Sequence, residues 1–229
     1  MSNQAKTSAR AVGELVRLLT ARLGATGYGR FARFASVLLA GIFVASVITL
    51  RVSDGSKAAT TGLQTSAARW SMWLVGLAVA FAASRGRTTA DRRDGFELLA
   101  DMRGLGGGTL LLARAVAGFW LSLRFMAIPA LFVGVASIAA SGSVRVAVDR
   151  TLVLCAVAVF SLAVSLVLPP LAAVIESIAP KRGGSVLISV LLVTAALAEL
   201  ANDPAFSIFG LLGAALRGAL HLFGVARFG

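Results

Sequence analysis

The sequence predicts an all-α polytopic membrane protein, with about six transmembrane helices preceded by an N-terminal amphipathic interfacial helix. Three observations predict it. The 229 residues are 58% hydrophobic and 14% charged, whereas a soluble domain carries about 45–50% apolar and about 25% charged residues. The apolar residues gather into runs near the ~20 residues that a helix needs to cross a bilayer core. The net charge of +12 falls mainly on alternate connections between those runs, the pattern that positive charge takes on the cytoplasmic side of a membrane.

Residues 1–33 form the first element, read as a cytoplasmic segment. Val12, Leu15, Val16, Leu19 and Leu23 recur at helical spacing, while Arg10, Glu14 and Arg17 share the opposite side. Such a helix presents its basic face to the inner leaflet or packs its apolar stripe on a partner. Gly24, Gly27 and Gly29 break it before the chain turns into the bilayer. A charged, helix-periodic stretch stands where a signal peptide would have a short apolar core, so no cleaved signal is expected.

Residues 34–229 form a single transmembrane domain. Its apolar runs lie at 34–50, 70–84, 116–140, 152–175, 185–201 and 205–225. The second run is short, with residues 67–83 extending it slightly, and the sixth carries Arg217 and His221. Six crossings place both termini on one side. If the N-terminus is cytoplasmic, fifteen of the 22 basic residues lie inside, five (Arg51, Lys57, Arg69, Arg145, Arg150) lie outside, and Arg124 and Arg217 fall within runs. That bias orients the chain with its N-terminus in the cytoplasm. It also accounts for the basic excess without nucleic acid.

The densest charge lies between the second and third runs. Asp91 or Asp94 can cap a helix there, which spans 91–103. Phe96, Leu98, Leu99, Met102 and Leu105 cover one face, and Arg93, Glu97 and Asp101 form a charged stripe at four-residue spacing on another. Residues 104–108 (Gly-Leu-Gly-Gly-Gly) end it. Spacing alone allows a solvated connector or a docking helix.

The order of basic amphipathic helix, two spans, Asp94-Gly95-Phe96-Glu97-Leu98-Leu99, a small-residue break and Leu112-Ala113-Arg114 resembles the membrane subunit of type-2 ABC exporters. The resemblance implies that the first helix is the family's elbow helix and that the 91–103 helix is its coupling helix, which docks on a separate ABC ATPase subunit. It implies docking residues Arg92, Arg93, Asp94, Phe96, Glu97, Leu98 and Asp101. Ala179-Pro180-Lys181-Arg182-Gly183-Gly184 is similar to a Lys-Arg-Gly-Gly step in the short haem-exporter subunit of cytochrome c maturation, and adds Lys181 and Arg182. Read by composition, the same step is an inner-leaflet turn with cations at the headgroups. Only Asn202-Asp203-Pro204 separates the fifth and sixth runs, a departure from larger family members, which place two short helices there.

Arg124 is an intramembrane polar candidate. It lies ten residues beyond Arg114, about 15 Å along a helix, and can snorkel, pair with an acid or line a path. Small residues (Gly76, Ala78, Ala80, Ala82, Ala83 and Gly118) allow close helix approach. Pro169-Pro170 should bend the fourth span. The single cysteine, Cys155, reads as a buried hydrophobe. No metal-ligand cluster, catalytic constellation or phosphate-binding loop is legible, so the chain is not expected to be an enzyme or to hold a cofactor of its own. On the exporter reading, ATP and magnesium belong to the ATPase subunit and a second permease copy and membrane lipids are further partners. The location is then the bacterial cytoplasmic (inner) membrane, and sparse Ser and Thr in the spans favour an amphipathic or apolar cargo. A non-transporting membrane assembly or anchoring protein is the alternative.

Overall fold

Length and hydropathy together decide the architecture. The computed structural model describes residues 3–52, 57–84, 90–91, 93–95, 98, 102 and 106–225, with backbone alone for 3–9, 52, 57 and 58. Its elements are α1 (Asn3–Ala25), α2 (Gly27–Val52), α3 (Lys57–Ser71), a π-helical turn (Met72–Gly76), α4 (Leu77–Ser84), α5 (Gly107–Ala139), α6 (Val144–Ile178), α7 (Gly183–Ala201), a 3₁₀ turn (Pro204–Phe206) and α8 (Ile208–Leu222). Among the described residues there is no strand. Five helices are long and apolar enough to cross a membrane: Gly27–Arg51, Ala59–Ser84, Gly107–Ala139, Val144–Ile178 and Gly183–Ala201. The protein is therefore an all-α, multi-pass membrane protein.

The spans differ from the apolar runs in instructive ways. The second reaches back to Ala59 although Thr60, Gln64 and Ser71 depress its hydropathy. All three are buried inside the bundle, where neighbouring helices rather than lipid surround them. With 33 and 35 residues, α5 and α6 are about 50 Å long at 1.5 Å per residue, well beyond a ~30 Å hydrocarbon core. Both project past it.

The run at 205–225 yields only the 15-residue α8, shorter than the ~20 residues of a crossing. Trp73, near the middle of the second span, stacks on Phe209 at the start of α8, with ring centroids 4.2 Å apart. At the other end, Gly224 and Val225 share a small cavity with Thr61, Val146 and Val153. Thr61 and Val146 lie near the starts of α3 and α6, far from the junction between α1 and α2. Residue 225 therefore lies at the opposite end of the bundle from that junction, whereas a sixth full crossing would bring it back to the same end. A sixth apolar run is long enough in sequence, but Asp203 caps a 3₁₀ turn through the Ala205 N–H at 2.8 Å, which shortens the helix that follows.

A continuous apolar core runs through all the helices. It draws on small residues where helices touch. A Cβ on Gly118 of α5 would sit 2.8 Å from Pro169 Cβ of α6, so the proline ring packs directly on the bare backbone of α5. Pro169 is buried there, and α6 continues as helix through Pro169 and Pro170. Cys155 departs from expectation in being exposed. In a bilayer the outward face is as apolar as the core, so an apolar run does not tell the two apart.

Candidate functional site

The site is assembled at the end of the bundle where α1 turns into α2. Leu15, Leu19 and Leu23 of α1 are buried in the common core, while Arg10 and Glu14 pair on its exposed side at 3.6 Å. The apolar stripe of α1 is thus covered by the protein itself, chiefly by α5, and not by lipid.

Thr26 forms the elbow. Its hydroxyl donates to the Leu23 carbonyl at 2.7 Å and accepts from the Gly29 N–H at 2.9 Å, closing one helix and capping the next. Gly29 is required here by close approach, since a Cβ would lie 2.8 Å from both Gly24 Cα and the Gly24 carbonyl oxygen. The two helices are thereby held at a fixed, tight bend.

Asp91 joins this elbow to the connection between α4 and α5. Its side chain is only 2% exposed. One oxygen lies 3.2 Å from Arg22 Nη1 of α1. The other accepts from Arg114 Nε at 3.1 Å and Arg114 Nη2 at 2.7 Å, in the second turn of α5. Arg22 also pairs with Asp94. The spacing allows Asp91 or Asp94 as a cap, yet the Asp94 N–H bonds to the Ala90 carbonyl at 2.9 Å, so Asp91 lies within a helical turn. Its carboxylate is given to two arginines from separate helices. Buried charges persist where they are paired and hydrogen-bonded, and this hub meets both conditions.

The other expected docking residues fall into three groups. Arg92, Phe96, Glu97 and Asp101 lie outside the described residues. Arg93, Asp94 and Leu98 are exposed, as is Met102, and the two apolar side chains are 65% (Leu98) and 71% (Met102) exposed. Lys181 and Arg182 are exposed in the turn before α7. That turn is brought to the same end of the bundle by Gly183, where a Cβ would collide with the Ser84 carbonyl and the Glu176 carboxylate. Glu176 itself is 1% exposed.

Arg124 lies on the exposed side of α5. Its depth is set by Leu121, one turn away, whose side chain is the nearest neighbour a Cβ on Gly24 would meet, at 3.6 Å. Arg124 therefore stands close to the level of the elbow rather than deep in the span. Sequence reasoning missed the Arg22–Asp91–Arg114 hub. The available signal was a pair of acids, Asp91 and Asp94, at one-turn spacing beside the two arginines between them.

Comparison with protein-family models, with curated proteins and with solved structures finds no match to this chain.

Proposed function

We propose that this chain is the permease subunit of an ATP-driven exporter of the type-2 ABC kind, forming the substrate path and docking a separate ATPase subunit. The observation that carries this reading is the contrast within one short connection. Asp91 is buried between Arg22 and Arg114, while Leu98 and Met102, four residues apart, are left bare. A connection anchored on two helices, with apolar side chains turned outward, is suited to take a push from a partner and pass it to α1 and α5. The exposed Lys181 and Arg182 at the same end supply a second contact.

On this reading, closure of the ATPase pair presses on the 91–103 segment, the hub carries the displacement into α1 and α5, and a path opens between two permease copies. ATP and magnesium are held by the partner, and this chain does no hydrolysis. The N-terminus faces the cytoplasm of a bacterium, and the chain sits in the inner membrane, supported by the weight of basic residues at that end. The cargo is amphipathic or apolar.

The test reverses charge at Arg93→Glu and Glu97→Arg and introduces charge at Leu98→Asp, then measures ATPase co-purification and transport in vesicles. Loss of both in the Leu98 variant, with correct membrane insertion, supports the assignment. Normal binding and transport in all three variants contradicts it. Retained capture of a protein that binds no nucleotide favours the anchoring alternative.

A further inference from the structure

A second feature at the elbow is independent of the exporter reading and rests only on the chain being a membrane protein. Between the start of α2 and the π-turn and α4 lies an open groove of about 640 Å³, walled by Tyr28, Phe31, Trp73, Leu77 and Phe81. That volume falls within the ~300–1,000 Å³ of small-molecule sites. Tyr28 and Phe81 pack ring on ring with centroids 5.9 Å apart, while Phe31 and Trp73 are 48% and 45% exposed. The groove therefore opens sideways, toward the bilayer. Of the hydroxyls in its lining, that of Thr26 both donates and accepts within the elbow, and the other belongs to the Tyr28 ring. The walls are otherwise aromatic and aliphatic, suited to an acyl chain.

The mouth of the groove has the opposite character. Arg30 follows Thr26 by four residues and Gly27 by three, so the three share a helix face, and the Arg30 N–H bonds to the Thr26 carbonyl at 2.9 Å. Arg30 stands beside the lining residues and not among them, and because helical side chains lean toward the N-terminus its guanidinium is within reach of the groove's mouth at Gly27. Arg30 is exposed and meets no carboxylate among the described residues. The start of α2 adds the positive end of a helix dipole. Gly27 leaves room, because a Cβ there would meet nothing within 4 Å.

From this juxtaposition we infer that the groove is a binding site for an anionic glycerophospholipid, one acyl chain lying along the aromatic wall and the headgroup phosphate held by Arg30. The lipid completes the lateral surface at the elbow, where α1 has turned away to pack on α5. Neutral lipids fill the same groove more weakly, since they lack the net charge that Arg30 selects.

Trp73 is a built-in reporter. The experiment uses the full chain with Trp70→Phe and Trp120→Phe, leaving Trp73 as its single tryptophan, reconstituted in vesicles containing acyl-brominated phosphatidylglycerol or phosphatidylcholine. The expected result is stronger quenching by the brominated anionic lipid, equivalent to a preference of about fivefold, the factor for one arginine attracting an anionic lipid. Arg30→Gln should abolish the preference while quenching persists, Gly27→Phe should reduce quenching by both lipids, and Arg124→Gln should change neither. Equal quenching by both lipids in the parent protein would overturn the proposal, as would a preference that survives Arg30→Gln. Absence of quenching by either lipid would mean that a second copy of the chain covers the groove. Equal quenching by a brominated fatty acid with and without Arg30 would assign the groove to an apolar cargo. Either result contradicts the lipid site.

Discussion

Two arginine sites, each with a buried member, stand at opposite ends of this bundle, and they are built differently. At the elbow end, Asp91 is shared by Arg22 and Arg114, with Arg22 reaching Asp94 across 72 residues of sequence. At the far end, Arg150 is 8% exposed and its guanidinium donates to the Ser137 carbonyl and, at 3.2 Å, to the Ser141 hydroxyl. That second site is local. It ties the end of α5 to the start of α6 across 13 residues, using backbone and hydroxyl acceptors. The elbow hub joins three separate segments by charge. One site therefore locks a hairpin, and the other connects parts of the molecule that could otherwise move apart.

The comparison is broken most severely at Asp91. Asp91→Ala leaves Arg114 without its acid, and removal of one partner of a buried pair costs about 3–5 kcal/mol. The thermal unfolding midpoint in detergent should fall sharply. Replacing both partners, Asp91→Leu with Arg114→Met, should recover a large part of the loss, because apolar substitutes of similar volume often match a buried pair. No recovery would show that the hub's charges matter beyond their mutual pairing.

At the far end, Arg150→Leu leaves the Ser137 carbonyl with only the Ser141 hydroxyl as side-chain donor, at 3.3 Å, with an expected cost of about 1–3 kcal/mol. Hydrogen exchange should rise around residues 137–150 and stay unchanged at the elbow. Raised exchange at both ends would dissolve the distinction between a local lock and a long-range hub.

Gly29→Ala should cost a similar or slightly smaller amount, about 1–3 kcal/mol for overpacking, concentrated in the junction of α1 and α2. Limited proteolysis near Thr26 reads it. The smallest effect is expected for Glu14→Ala, whose exposed pair with Arg10 is worth about 0.3–0.5 kcal/mol. A midpoint shift as large as that of Gly29→Ala would mean that the outer face of α1 is covered.

Much of the fold was legible in the sequence because hydropathy and spacing act locally. The stripe Leu15, Leu19 and Leu23 lies on one side of α1 as periodicity requires, and five of the apolar runs fall within helices long enough to span. What was hidden depends on partners distant in sequence. Thr60 and Gln64 look like loop residues until neighbouring helices bury them. Cys155 and the lipid-facing positions of α6 share the apolar character of its core. Asp91 carries the spacing of a cap, and only the approach of Arg22 and Arg114 from other helices reveals its role. The end of the last helix was hidden for the same reason, since no residue of 205–225 records that Val225 returns to Thr61 and Val146.

The most direct test of the account is thiol cross-linking from position 98. With Cys155→Ser removing the chain's single cysteine, Leu98→Cys gives one thiol at an exposed position, and the cross-linked partner in native membranes is identified by mass spectrometry. Docking of an ATPase at this position predicts capture of an ATP-hydrolysing subunit, with cross-linking yield that changes when ATP is bound and falls in the Asp91→Ala background. Capture of lipid or of proteins without a nucleotide site, at a yield indifferent to ATP, would contradict it.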